Sequence, residues 1–325
     1  MKRIICPLTL WLLLQVLLTG CGEREKEEIP ENFCEVGINL NWEGIASVPE
    51  GVEVLFYRQN DTNSKPTTTY LPAKGGKTNL KPGIYKVVIF NYDTEAVQIR
   101  GTDKLETLEA YTGPCTGFVG ENTAGMVWEP DPIYVARLDL TIEEKEKEKA
   151  LDVKPQLIPQ TCSFEIKVKG LEYVNSVSGS VSGVAASYLL GLGHCSTETC
   201  TVSFEMKKGD GVLKGKFCYF GVPHEAARAF SFTQFITIKV VRRDNSVQEV
   251  KVDVTEAIQN ANTPGDNPGT DPGENPGGSS GGSIDIEIEE EIEIPYVPPT
   301  PSGDGSIGGD VGEWGDEEEV VIPMK

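Results

Sequence analysis

Two histidines and eight cysteines are the side chains in this 325-residue sequence best suited to metal, acid–base or redox chemistry. His194 and His224 stand thirty residues apart, too few and too dispersed for a His-based metal site or a general-base triad. Cys6 falls in the leading apolar segment and Cys21 closes it, which leaves Cys34, Cys115, Cys162, Cys195, Cys200 and Cys218. If the chain is exported, six cysteines are compatible with three disulfides. Cys34 with Cys115, Cys162 with Cys218 and Cys195 with Cys200 would each lie within the span of one folding unit, although fifteen pairings are open. Free buried thiols are the competing arrangement. Cys195 and Cys200, spaced Cys-x4-Cys beside His194, fit zinc poorly, so no metal is expected. No G-x-S-x-G, H-E-x-x-H, P-loop or dinucleotide glycine pattern occurs, and neither an enzyme nor a cofactor is expected.

The most specific chemistry belongs to Cys21. Lys2 and Arg3 precede an apolar run from Leu8 to Leu18, too short to span a hydrocarbon core of roughly 30 Å, so residues 1–20 read as a signal peptide. Leu18-Thr19-Gly20-Cys21 matches the bacterial lipobox, in which the cysteine thiol receives diacylglycerol. Cys21 is then the mature N-terminus, held on a membrane surface by its lipid. Residues 21–32 have no periodic apolar face and read as a tether. Their charges resemble the signal that sends Bacteroidetes lipoproteins to the outer face of the outer membrane; a plain solvated spacer is the alternative.

The formal net charge is -21, from 29 Lys plus Arg against 50 Asp plus Glu, which removes a basic-surface argument for nucleic acid. It is unevenly placed. Residues 264–325 carry sixteen acids and one lysine, a net of -15, leaving -6 for residues 1–263.

The elements that must position these residues are strands. Val36, Ile38, Leu40 and Trp42 alternate with polar neighbours, and short alternating runs recur to residue 142, split by Pro-Gly and Gly-Gly turns. Residues 33–142 read as one β-sandwich. The mixed-charge run in residues 143–159 reads as a connector. Residues 160–260 repeat the pattern and read as a second sandwich, with small residues from Ser178 to Ala186 suggesting close backbone packing or a bulge. Four x-Pro-Gly-x units make residues 261–282 a linker, and their aspartates lack calcium-loop spacing.

Residues 283–295 carry the sharpest pattern. Ile284, Ile286, Ile288, Ile292 and Ile294 share one face with Glu290, while Asp285, Glu287, Glu289, Glu291 and Glu293 share the other. A strand with one dry face and a column of carboxylates must sit at an edge, beside lysines, or alone until it pairs. It is either the last edge strand of the second domain or a strand that adds to another subunit's sheet. Residues 296–325 read as a disordered acidic tail.

Several stretches carry a family resemblance: the lipobox, Ile38-Asn39-Leu40-Asn41-Trp42, the run from Leu80 to Tyr92, Ser178 to Ala186, Gly215 to Gly221, and Val252-Asp253-Val254-Thr255. Together they resemble the Bacteroides lipoproteins of an uncharacterised domain family related to the FimB-like fimbrial anchor and minor subunits of Bacteroidales. Over residues 1–260 the resemblance implies an all-β chain of two tandem transthyretin-like (immunoglobulin-like) sandwiches. It implies lipid anchoring at the outer membrane and a role in fimbria assembly or adhesion, with other fimbrial subunits or surface proteins as partners. The acidic strand departs from the family pattern. A surface lipoprotein that binds glycans for an uptake system is the competing reading, and it requires an exposed, coplanar aromatic platform around Trp42 or Trp128.

Overall fold

The computed structural model describes residues 32–59, 65–115, 125–224, 232–262, 283–298 and 318–322. The expectations for Cys21 and the signal peptide lie outside them, as does the tether but for Asn32; of the Pro-Gly linker expected at 261–282, only Ala261 and Asn262 are described, closing a helix. The described chain is nearly all strand, as the alternation predicts.

The first lobe is built from β1 (Cys34–Leu40), β2 (Gly51–Arg58), β3 (Thr67–Pro72), β4 (Gly75–Leu80), β5 (Gly83–Asn91), β6 (Val97–Arg100), β7 (Glu109–Thr112) and β9 (Tyr134–Ile142), with β8 (Met126–Trp128) reaching across to the second lobe. It also takes β10 (Glu148–Val153) and β11 (Gln156–Leu157) from the stretch expected to be a connector. β10 lies parallel to β1 and β11 antiparallel to β9. The mixed-charge run thus turns and then enters β10 at Glu148; Leu151 and Val153 behind it supply the apolar contacts that make a strand.

Three sheets stack in this lobe: β10-β1-β4, then β11-β9-β5-β2-β3, then a third that contains β7-β6. Val54, Phe56, Val87 and Ile89 of the middle sheet face Val36 and Ile38. Leu55, Tyr57, Val88 and Phe90 face the opposite way, toward Val97 and Ala110. Burial on both faces accounts for the near-continuous apolar runs of β2 and β5, where a two-layer sandwich would alternate.

The second lobe comprises β12 (Gln160–Lys169), β13 (Val174–Ala185), β14 (Ser187–Leu189), β15 (His194–Cys195), β16 (Thr199–Lys208), β17 (Val212–Tyr219), β18 (Phe235–Arg242), β19 (Val247–Asp253), α1 (Thr255–Asn262), β20 (Ser283–Glu293) and β21 (Glu318–Ile322). β16 pairs with β13 along Thr199–Glu205 and with β17 along Met206–Lys208, so it bends from one layer into the other. Its two layers enclose a core of their own.

Glycine opposite phenylalanine sets the spacing there. Gly179 pairs with Phe204, and a Cβ at Gly179 would fall 2.1 Å from that ring. Gly215 pairs with Phe164 in the same manner, at 2.2 Å. The vacated space lets Phe164, Phe204 and Phe217 pack with centroids 4.6–6.5 Å apart. The small-residue segment also holds a register shift between Ser182 and Val184, at Gly183 with φ +75°.

The two lobes share one sheet. β14 pairs with β7, so the four-stranded third sheet, β15-β14-β7-β6, is half first lobe and half second. Tyr188, Leu190 and Cys195 complete the core over the middle sheet. The tail is also partly ordered in pairing: β21 lies parallel to β19.

Candidate functional site

β20 adds parallel to β12, with Thr161 opposite Ser283, Phe164 opposite Ile286 and Lys169 opposite Glu293. Ile286, Ile288, Ile292 and Ile294 are 3–6% exposed and belong to the second lobe's core, and the half-buried Ile284 packs against it. The sequence left open whether this segment pairs within the chain. Here it is the edge strand of its own lobe.

One of the β20 carboxylates meets a lysine. Lys169 Nζ lies 2.5 Å from Glu291, and that pairing raises the lysine pKa. Ser163 donates a hydrogen bond to Asp285. Glu165 and Glu287 are register neighbours of like charge, and Lys214 pairs with Glu165 to offset them.

One register shift falls between Glu165 and Lys167, which oppose Glu287 and Glu291. Two residues on β12 thus span four on β20, at the point where Glu290 interrupts the isoleucine period. An even slip preserves parity, so Ile292 returns to the inner face opposite Val168. Beyond the strand, Ile294 N donates to Lys169 O at 2.9 Å. Gly170, at φ +80°, lets the Ile294 carbonyl approach: a Cβ would sit 2.3 Å from Ile294 O. Tyr296 then packs edge-on against Tyr173 at 5.3 Å.

The outer face of β20, β12, β17 and β16 forms a groove of about 1280 Å³. Glu129, a residue no sequence signal singled out, lines it. Its carboxylate accepts a hydrogen bond from Cys218 N at 2.8 Å, where β16 has left β17. Burial holds the Glu129 carboxyl above the ordinary carboxylate range; Glu205 adds to this, and the Cys218 bond opposes it. A folded pKa above the unfolded one means the ionised group destabilises the fold. The cost is absent where both states are protonated and grows as pH rises through the folded value. Glu129→Gln keeps an acceptor for Cys218 N. It is expected to raise Tm by roughly 1–3 °C at pH 7 and to leave Tm unchanged at pH 3, as differential scanning calorimetry would read.

The expected disulfides are absent. Cys34, Cys162, Cys195, Cys200 and Cys218 are free thiols, and Cys115 is buried. Phe217 opposes Cys162 while Cys218 opposes Thr161, so the two cysteines are one register step apart and face opposite sides of the sheet. Cys195 lies in the third sheet and Cys200 in the second lobe's sheet, bonded respectively to Phe220 O at 3.4 Å and Ala185 O at 3.5 Å. Cys34 is in the core between the first two sheets, whereas Cys115 N bonds to Met126 O beside β8.

Burial pushes the thiols of Cys162, Cys195 and Cys200 up to about 12. At pH 8 the thiolate fraction is then on the order of one in ten thousand. A chromogenic disulfide reagent is expected to leave these three unmodified in the folded protein and to titrate them in urea. Equal burst amplitudes with and without urea would contradict their burial.

Among the described residues, no three His, Cys, Asp or Glu side chains cluster as metal ligands. His194 and His224 stack at 3.9 Å with an interplanar angle of 20°. Among the described residues, Trp42 is not part of a coplanar platform of the kind glycan capture requires. Trp42 is half-buried, with Nε1 donating to Ala73 O at 2.6 Å and Tyr134 edge-on to its ring. Trp128 is 41% exposed, and the exposed Tyr70 and Tyr92 meet at 74°.

Comparison with known proteins agrees with this architecture. A Bacteroides ovatus protein provisionally named fimbrium anchoring subunit Fim4B is 37% identical over 327 residues, spanning 95% of each chain. A Bacteroides ovatus crystal structure provisionally described as an adhesin superposes with a TM-score of 0.67 at 34% identity, covering 86% of this chain and 99% of that one. The profile of the family described as Domain of unknown function (DUF5119) matches residues 20–205, more than half of the sequence. The chain belongs to that family.

Proposed function

We propose that this protein is a non-catalytic anchor or minor subunit of a fimbrium, held at the outer membrane by lipid on Cys21 and joined to other subunits by β-strand addition. The observation that carries the reading is the near full-length similarity to a protein named as a fimbrium anchoring subunit. The Leu18-Thr19-Gly20-Cys21 motif supports the lipid attachment. Parallel docking of β20 supports strand addition: it joins the sheet after an intervening stretch of twenty residues, 263–282, so the same Ile face could be supplied by, or to, a neighbouring chain.

Cys21→Ser is expected to abolish incorporation of labelled palmitate and to release the protein from membranes; retained label would remove the lipid anchor. Strand addition has a sharper test in the register itself, because Cys162 stands directly opposite Ile284. Ile284→Cys would allow a disulfide that locks β20 to its own lobe. Recovery of partner subunits is expected to fall under oxidising conditions and to return with dithiothreitol. Undiminished recovery with the lock formed would make β20 a permanent edge strand and leave the anchor role to other surfaces.

A further inference from the structure

We propose that β1 and its two neighbours form a mechanical clamp that carries tension between the membrane-proximal end of the chain and the second lobe, an inference that rests on the anchor reading above. β1 begins at Cys34, so a pull on residue 21 reaches the described fold first at that end of the strand. β10 runs parallel beside it, with Glu35 opposite Glu148 and Leu40 opposite Val153. The chain leaves β10 at Val153, passes the two-residue β11 paired with β9, and enters β12 of the second lobe at Gln160. A load between the lipid end and the second lobe therefore enters the parallel pair at one end and leaves it at the other. Strands loaded in this way must slide past one another, which strains the ladder bonds together. A pair loaded at adjoining ends opens one bond at a time.

The clamp is reinforced on three sides. Its ladder is extended by Glu35 N donating to Lys147 O and Asn41 N donating to Val153 O, each at 2.8 Å. On its other edge β1 pairs antiparallel with β4 from Cys34 to Asn39, so sliding breaks a second ladder at the same time. Cys34, Val36 and Ile38 are at most 1% exposed, and displacement along the strand axis would drag them across Phe56, Tyr85 and Ile89. Asn39 Nδ2 donates to Asp152 Oδ1 at 3.0 Å, and Lys77 pairs with Glu35 at 2.5 Å, tying β1 to both partners through side chains as well. Resistance to pulling is set by the unfolding barrier along the pulling axis, so this arrangement matters to an anchor more than its equilibrium stability does.

Single-molecule force spectroscopy on the full chain tests the clamp. One handle is placed at residue 21 and the second, through a clickable residue, either at Asp244 in the β18–β19 turn or at Lys81. Leu80 is the register partner of Cys34, so the Lys81 handle loads β1 and β4 at adjoining ends. The rupture force along the 21–244 axis is expected to exceed that along 21–81 by about twofold or more at one loading rate. Val36→Ala is expected to lower the 21–244 force and to leave unchanged the force between two handles within the second lobe. Equal forces along the two axes, or rupture of the second lobe before β1 is released, would overturn the clamp while leaving the anchor reading intact. Absence of palmitate labelling would remove the anchor reading and leave the force asymmetry standing.

Discussion

Ile292→Ala is expected to lower the unfolding free energy by about 2–5 kcal/mol, the cost of removing a buried aliphatic side chain and leaving its cavity. Ile292 is 3% exposed opposite Val168, inside the second lobe's core rather than on a free strand. Glu287→Gln, on the outer face of the same strand, is expected to change stability by less than about 0.5 kcal/mol. Urea unfolding at constant slope reads both. The contrast reports which face of β20 is dry in solution. An Ile292→Ala midpoint equal to that of the parent would mean that β20 does not cover its own lobe. The same burial bears on truncation: removing residues 283–295 uncovers Ile-lined core, so loss of partner binding after that deletion would not by itself identify a donated strand.

Leu190→Ala is expected to cost a similar amount, about 2–5 kcal/mol, and its effect should cross between lobes. Leu190 is fully buried and contributed by the β14–β15 hairpin of the second lobe, yet it packs among Leu55, Val88 and Val135 of the middle sheet of the first. Its removal thins the cover over β2 and β5, so amide hydrogen exchange in those strands should accelerate although the change lies outside their lobe. Tyr188 beside it makes the same argument at the register level, because it opposes Ala110 of β7. Exchange changes confined to residues 160–262 would show that the third sheet does not couple the lobes. A single cooperative unfolding transition for the parent follows from the same shared core.

Much of the fold was legible because strand periodicity is local. Val36, Ile38 and Leu40 announced their inward face without reference to any partner, and so did Ile284, Ile286 and Ile288. Turn chemistry was equally local: Lys81-Pro82-Gly83 and Asp244-Asn245-Ser246 end strands where their composition says they should. Other elements escaped. β10 was hidden behind a charged run because its partner, β1, lies more than one hundred residues upstream. The β14–β15 hairpin is short and has no alternation long enough to reveal that β7 is its neighbour. Glu129 gave no signal, since its role depends on β16 leaving β17 at Gly215 and exposing the Cys218 amide.

The cysteines mark the division most clearly. The sequence alone established that six remain after the leading segment and that the chain is built from strands with a dry face. It also placed the excess negative charge in the final sixty residues and identified a strand there with an apolar and an acidic side. Only the tertiary structure decided that Cys162 and Cys218 point to opposite faces, that β20 lies against β12 with Glu291 beside Lys169, and that one lobe completes the other's third sheet. The physical reason is the same in each case. Period-two patterning fixes which side of a strand is buried, but pairing and register are settled by contacts between residues far apart in the chain, summed over a whole sheet.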